Sequence, residues 1–355
     1  MITTKNKDFA FYKGAKVVVV GGAGSVGREL VAQLLKLDVA VVRAIDNNEC
    51  GLFDLEQGYR NEKRLQVFIT DIRDQSKLEQ MFDGIDYVFH AAALKHVPMC
   101  EHSPYDAVQT NIIGVQNIVA AANLKKVKKL IFTSSDKAVN PTNVMGTSKL
   151  MGERLITAAN ALNGAQGLTV CASTRFGNVA GSSGSVVPIF VKQIASGGSI
   201  TLTHKDMTRF VMTLKEAVHL VLTSLMMAKG GEVFVTKMTV LKITDLAEVL
   251  IEMVAPRYKL TPESVTITEI GPRPGEKLYE ELMNDEEIRR AYELEDFYVI
   301  LPAIRNIYDG IEYGVDESRR AKQPYTSATA ELMSKQTIKE FLLQPGVMPE
   351  IFSQV

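Results

Sequence analysis

A hydroxyl, a carboxyl and an amine stand side by side at Ser135, Asp136 and Lys137, and a second amine, Lys149, follows Met145 by four residues. Such groups can hydrogen-bond an oxygen, accept and deliver protons, and hold positive potential beside a reacting carbon. That is the repertoire of general acid–base catalysis. Met145 is the odd member, because a thioether has no proton to give.

The elements that must position these groups can be read around them. Leu130 to Thr133 is a β-branched and aromatic run, expected as a buried strand of a parallel sheet, so Ser134 to Lys137 fall at its C-terminal end. Ligands of open α/β sheets sit along that edge. After Pro141 a helix is expected from about Gly146, its core face made by Leu150, Met151, Leu155, Ala158 and Leu162. If the helix has begun by Met145, Met145 and Lys149 share one side of it, near the strand end.

A second constellation lies near the N-terminus. Lys16 to Val20 reads as a valine-rich strand, GGAGSVG follows, and an amphipathic helix begins at Arg28. Gly21, Gly22, Gly24 and Gly27 satisfy both GxGxxG and the related GxxGxxG spacing. Glycine is required there because the chain must turn tightly and let a pyrophosphate approach the first helical turn, at Ser25 and Val26, without a Cβ in the way. The next strand, Val39 to Ile45, ends at Asp46-Asn47, where a carboxylate accepts hydrogen bonds from a ribose. A 2′-phosphate about 4 Å from that carboxylate is repelled by several kcal/mol at an effective dielectric near 20, so NAD is expected rather than NADP. A third strand, Leu65 to Thr70, brings Asp71 and Ile72 towards the adenine. A fourth, Asp86 to His90, opens into Ala91, Ala92 and Ala93, whose small side chains let a cofactor lie close, and then Lys95. Asn111 falls in the helical stretch TNIIGVQNIVAAA and is included among the cofactor-binding candidates.

Strand and helix alternate through Ala172, which specifies an α/β fold, a Rossmann-like doubly wound parallel sheet with a smaller C-terminal lobe. The expected division is a dinucleotide-binding domain over residues 1–175 and 205–253 and a substrate-binding lobe over 176–204 and 254–355. A short helix is expected over Pro188 to Ala195, a longer one over Leu214 to Ala228, and a strand over Glu232 to Thr236. The phrase IGPRPGEKLYEEL at 270–282 is the most distinctive in the final hundred residues.

Composition excludes several classes. With 355 residues, 46% apolar content and a net charge of −1, the chain is large enough for a substantial core and carries no basic excess to attract nucleic acid. The run Lys125, Lys126, Lys128, Lys129 reads as a solvated helix end. No apolar run reaches the roughly 18 residues of a membrane span, and the first residues lack a signal-peptide core, so a cytoplasmic protein is expected. Cys50, Cys100 and Cys171 form no CxxC and are expected reduced; the five histidines make no HExxH pair, so no metal is expected.

The Gly21 to Gly27 loop, the strand-end serines, Lys149, RFGNV and RPGEKLYEE together resemble the extended short-chain dehydrogenase/reductase family. Within it, SSDKAVNPTNVMGTSK, MTRF and RPGEKLYEE look like the nucleotide-sugar 4,6-dehydratases that act on UDP-N-acetylglucosamine in bacterial surface-sugar pathways, in a form without the membrane region of the large members. Met145 stands where the family usually has a tyrosine, an arrangement some dehydratases share. The resemblance implies an internal redox dehydration with NAD. Asp136, or water relayed by Lys149, takes the O4 proton; Lys137, as a neutral amine provided burial and the adjacent cofactor lower its pKa, removes the C5 proton; Asp136 then protonates the departing C6 hydroxyl. Ser135 holds the C4 oxygen and Lys149 the nicotinamide ribose. Lys95, Asn178, Val186, Val187, Pro188, Arg209 and Arg273 are implied in substrate binding, and a homo-oligomer, dimer or hexamer, in assembly. UDP or GDP, and retention or inversion at C5, stay open. So do a nucleotide-sugar 4-epimerase or reductase and an NAD-binding regulator without catalysis.

Overall fold

The computed structural model describes residues 9–162, 169–182, 184–272, 274–303, 311 and 313–349. Its centre is a nine-stranded sheet. In chain order the first six strands are β1 (Lys16–Val20), β2 (Val41–Asp46), β3 (Leu65–Ile69), β4 (Tyr87–His90), β5 (Lys129–Ser135) and β6 (Val170–Phe176). The next ten are β7 (Asn178–Val179), β8 (Ile200–Leu202), β9 (Thr208–Met212), β10 (Val233–Thr236), β11 (Thr239–Lys242), β12 (Ile267–Glu269), β13 (Glu281–Met283), β14 (Ala291–Glu293), β15 (Phe297–Ile300) and β16 (Tyr325–Thr326). The main sheet runs β14-β15-β10-β6-β5-β4-β1-β2-β3. Its strands from β10 to β3 pair in parallel, and β15 and β14 add antiparallel at one edge.

Parallel strands are covered on both faces, and the two cores show it. Alternate residues divide between them: Val17, Val19, Ile131 and Ala172 face one cluster, Val18, Val20, Leu130, Phe132 and Cys171 the other. Helices α1 (Ser25–Lys36) and α9 (Leu214–Met227) cover the first face. Helices α3 (Gln75–Met81), α6 (Gly114–Leu124) and α7 (Val144–Leu162) cover the second. Helix α2 (Glu49–Gly58) starts on an Asn48 cap whose side chain accepts from the Gly51 amide, and α9 starts on a Thr213–Glu216 capping box. Short helices α4 (Val97–His102) and α5 (Pro104–Val108) lead into a π-helical turn, Gln109–Ile113, before α6. The helical stretch expected as continuous there is thus interrupted.

A third core is built by α8 (Val186–Ala195), α10 (Ile243–Val254), β8 and α12 (Lys335–Leu342), so α10, expected with residues 205–253 in the dinucleotide-binding domain, packs instead with elements expected in the lobe. A segment beyond residue 253 nonetheless returns to the main sheet: β15 pairs with β10 from Val233↔Ile300 to Thr236↔Phe297. Its short alternating run carries no parallel-strand signature, so it was legible only as part of the lobe. The sequence bounds also shift where they matter. Helix α7 begins at Val144, so Met145 and Lys149 both lie within it, and β5 runs through Ser135. The sequence places a further strand over Leu168 to Ala172; Leu168 lies outside the described residues, and β6 continues to Phe176.

The basic run meets local partners. Lys125 pairs with Asp83, Lys128 with Asp86, and Lys129 donates to the carbonyls of Met226 and Ala228. Among the described residues no helix is long and apolar enough to cross a membrane.

Candidate active site

The glycine loop is dictated by backbone contact. Gly21 sits at φ +86, and a Cβ there would lie 2.6 Å from the Ala92 amide nitrogen; a Cβ on Gly27 would lie 2.0 Å from the Gly21 carbonyl oxygen. Loops after β1 and β4 therefore touch at the C-terminal edge of the sheet, with Ala91 to Ala93 alongside. Gly24 caps α1 without a side-chain hydrogen bond, leaving the amides of its first turn, at Ser25 and Val26, without a capping side chain. Asp46 closes the cradle: Oδ2 accepts from the Ala23 amide at 3.0 Å and Oδ1 from the Asn48 amide at 3.0 Å. The Asn47 amide reaches Asp71, whose carboxylate is bound by Arg73 and titrates below its usual range chiefly for that reason. Ile72 is buried against Gly114.

Asn111 differs from the cofactor-binding expectation. Its side chain accepts from the Leu94 amide at 2.9 Å and donates to the Leu94 carbonyl at 3.0 Å and to Ser148 Oγ at 2.9 Å. An amide with one oxygen and two N–H donors thereby braces the loop before Lys95 and ties it to Ser148 of α7.

The Ser-Asp-Lys cluster forms where β5 ends. Ser135 caps a single 3-10 turn, Asp136–Ala138, accepting from the Lys137 amide. Asp136 is 0% exposed. Its Oδ1 accepts from Ser135 Oγ at 2.6 Å and from Lys137 Nζ at 3.0 Å, whereas Oδ2 has no hydrogen-bond partner among the described residues. Helix α7 presses on this turn: a Cβ on Gly146 would lie 2.2 Å from the Lys137 carbonyl oxygen. That contact is why glycine follows Met145. Met145 itself is packed with Cys100 and Ala107.

Lys149 is 6% exposed, donates from Nζ to the Thr133 carbonyl at 3.0 Å and lies over the Phe132 ring. Burial lowers its pKa to about 8. Between about 8 and the ordinary 10.5 the folded chain binds fewer protons here than the unfolded chain, so this group's contribution to stability rises with pH across that window and is most unfavourable below it. Lys149→Met is accordingly expected to unfold at higher urea than the wild type near pH 7, the difference closing as pH rises from 8 towards 10.5. Equal midpoints throughout would refute the strained charge.

Lys137 departs from expectation. Burial alone would lower its pKa, but the carboxylates of Asp136 and of Glu280, at 3.6 Å, overcome that against the opposing Arg209, and the net shift is upward. The chain's own groups thus favour the ammonium form of Lys137, against the lowering expected of burial and the adjacent cofactor together.

A cavity of about 230 Å³ meets this cluster at Lys137, with Asn178, Arg209, Glu276, Lys277 and Glu280 also lining it, while Ser135, Asp136 and Lys149 lie behind its wall. Asn178 and Arg209, expected in substrate binding, are brought to it. Arg209, however, donates to the carbonyls of Thr208, Leu278 and Lys277 rather than presenting a free fork. Lys95 is exposed and does not line this cavity, nor do Val186, Val187 and Pro188; Val187 is buried in the third core. Arg273 lies outside the described residues. The phrase GEKLYEE now has a place. Thr142 Oγ1 and Asn143 Nδ2 donate to the Gly275 carbonyl, and Lys277 Nζ donates to the Val139 carbonyl at 2.9 Å, so this segment straps down over the turn that carries Asp136 and Lys137. Glu280, which it delivers, was missed: in a run of charges it reads as surface.

The sheet, glycine loop and strand-end cluster make a Rossmann-like α/β fold. A family model described as polysaccharide biosynthesis protein matches residues 17–302, and the chain belongs to that family. An uncharacterized membrane protein of Methanocaldococcus jannaschii is 48% identical over 332 residues, covering 94% of this chain and 96% of its own. A UDP-glucose 4-epimerase of Rickettsia massiliae is 37% identical over 333 residues, covering 92% and 95%. Among solved structures, Pen from Bacillus thuringiensis is similar with a TM-score of 0.88 at 40% identity, covering 96% of this chain and 100% of that one.

Proposed function

We propose that this chain is an NAD-dependent nucleotide-sugar 4,6-dehydratase whose substrate is UDP-N-acetylglucosamine. The observation that carries the reading is the fully buried Asp136, ion-paired to Lys137 beside the cavity and with one carboxylate oxygen unpartnered among the described residues. A burial cost of that kind is sustained where a proton has to be handled.

The residues present fit NAD. Gly21 and Gly27 leave room where any Cβ would collide with backbone, Gly24 makes no side-chain cap hydrogen bond at the α1 N-terminus, and Asp46 stands at the end of β2 with no arginine immediately following it in sequence. Gly21, Gly24, Ser25, Val26 and Gly27 would hold the pyrophosphate, Asp46 and Asn47 the adenosine ribose, Asp71 and Ile72 the adenine side. Ala91 to Ala93 would lie along the cofactor, and Lys149 would hold the nicotinamide ribose. Bound there, nicotinamide supplies the hydride acceptor for C4 and the donor for C6.

The chain's own groups then manage the protons. Ser135 Oγ orients the C4 oxygen. Asp136 takes the O4 proton, which neutralises the carboxylate holding Lys137 charged. With C4 a ketone, the C5 proton is acidic, and Lys137 removes it once its amine is neutral. Asp136 returns its proton to the C6 hydroxyl, which leaves as water. Met145 contributes packing alone, so the role its position has in tyrosine-bearing relatives passes to Asp136. Asn178 and Arg209 meet the nucleotide sugar at the cavity wall, and the resemblance assigns Arg273 to the same grip.

The identity to UDP-glucose 4-epimerases supports a second reading, 4-epimerisation. Incubation with UDP-N-acetylglucosamine and NAD separates the two: dehydration gives a product lighter by one water, with deuterium at C5 when run in deuterated water, whereas epimerisation leaves the mass unchanged. No mass loss under conditions of turnover would overturn the dehydratase assignment.

A further inference from the structure

We infer that Glu280 is the proton acceptor that converts Lys137 from ammonium to neutral amine during turnover. The inference rests on the dehydratase reading and supplies the step that reading lacks, since Lys137 begins charged.

The geometry carries it. Glu280 is 3% exposed and lines the cavity. Its Oε1 lies 3.6 Å from Lys137 Nζ and 3.6 Å from Arg209 Nε, and its Oε2 has no hydrogen-bond partner among the described residues. The backbone on either side is fixed: the Glu280 amide donates to Ser327 Oγ at 2.9 Å, the Ser327 amide donates to the Glu280 carbonyl at 2.9 Å, and β13 begins at the next residue. A carboxylate so buried, on a residue that lines the cavity and with one oxygen unpartnered among the described residues, is more than a salt-bridge partner.

The charges around it make the transfer conditional. Asp136 and Glu280 flank Lys137, while Arg209 and Lys277 face Glu280 from the other side. Burial raises the Glu280 pKa, the lysines and Arg209 work against that, and Asp136 adds to it. While Asp136 is ionised, Lys137 keeps its proton. Once Asp136 has taken the O4 proton, Lys137 loses its closest counter-charge, and a buried neutral pair becomes cheaper than a buried ion pair. An Nζ–H bond of Lys137 then breaks and an O–H bond forms on Glu280. Neutral Nζ takes the C5 proton and the C5–H electron pair moves into the C4 carbonyl as an enolate. Its collapse forms the C5=C6 double bond as the C6–O bond breaks, the oxygen leaving as water with the proton of Asp136, and C6 would then accept the hydride that C4 gave up. When Lys137 has returned its proton to C5, Glu280 gives back the one it stored. No oxidant or reductant beyond the recycled nicotinamide is consumed.

Glu280→Gln keeps the shape and removes the acceptor. With UDP-N-acetylglucosamine in deuterated water, the variant is expected to oxidise C4 at close to the wild-type rate and to accumulate a 4-keto sugar that still bears its C6 hydroxyl, trapped by borohydride on quenching. Deuterium entry at C5 and loss of water should both slow by about 10²–10³. Glu280→Asp, with its carboxylate withdrawn by one methylene, should fall between, and gives the same comparison should the Gln variant not fold. A merely structural role would slow both stages together. Equal slowing of C4 oxidation and water loss, or C5 exchange at the wild-type rate, overturns the inference. A wild-type enzyme that neither forms the 4-keto sugar nor loses water overturns the dehydratase reading itself.

Discussion

Replacing Asp136 by Asn, or Lys137 by Met, is expected to lower the rate of water loss from the nucleotide sugar by about 10²–10⁴, roughly 3–5 kcal/mol of transition-state stabilisation. The double variant should be little worse than either single one, because groups that act as a unit lose their whole effect when one is removed. The physical reason is their shared charge. Oδ1 of Asp136 takes hydrogen bonds from both Ser135 and Lys137, and Lys137 owes its raised pKa to Asp136 and Glu280. Asp136→Asn removes the O4 proton acceptor and the C6 acid, and Lys137→Met removes the C5 base. Nucleotide-sugar binding, read by calorimetry, should change far less than turnover. Rates multiplied down independently in the double variant, or turnover kept in either single one, would refute the coupled pair.

Arg175→Met is expected to cost about 3–5 kcal/mol of folding stability, a large share of the roughly 5–15 kcal/mol a domain has. Arg175 is 1% exposed on β6. Its guanidinium donates to both oxygens of Glu153 on α7, at 3.0 and 2.6 Å, to both oxygens of Glu287, each at 3.0 Å, and to the Leu282 carbonyl at 2.8 Å. Five N–H donors thus meet five acceptors, which is all an arginine has. Removing it strands two buried carboxylates beside each other. Burial raises the Glu287 pKa and Arg175 more than reverses that, so the stranded Glu287 should titrate upward. Replacing Glu153 and Glu287 by Gln in the same chain should recover most of the loss, since those charges are the source of the cost. Urea unfolding measures both, and a loss under about 1 kcal/mol for the single variant would refute the account. The triad also matters to chemistry, because it ties α7, which holds Lys149, and the strand after Glu280 to the same residue.

The two local constellations were legible for a physical reason. The glycine loop with its flanking strand and helix, and the strand running into Ser135, Asp136 and Lys137, are written in contiguous residues. Periodicity and the absence of a Cβ act over a few positions, so Lys16 to Gly27 and Leu130 to Lys149 announce both their elements and the sheet edge on which they meet. Asn111 marks where that reading stops. A polar residue in a helical pattern is compatible with a ligand contact or a buried brace, and only the Leu94 backbone packed against it reveals the brace.

What the sequence determined by itself is therefore the α/β order, the dinucleotide cradle and the placing of an acid and an amine at the end of β5. The tertiary structure alone decided the state of that amine. Lys277 reaches Val139 across 138 residues of sequence, and the strap it anchors brings Glu280 to Lys137. Charge in a buried site is set by whatever other charges folding brings within a few ångströms, and no local pattern encodes that distance.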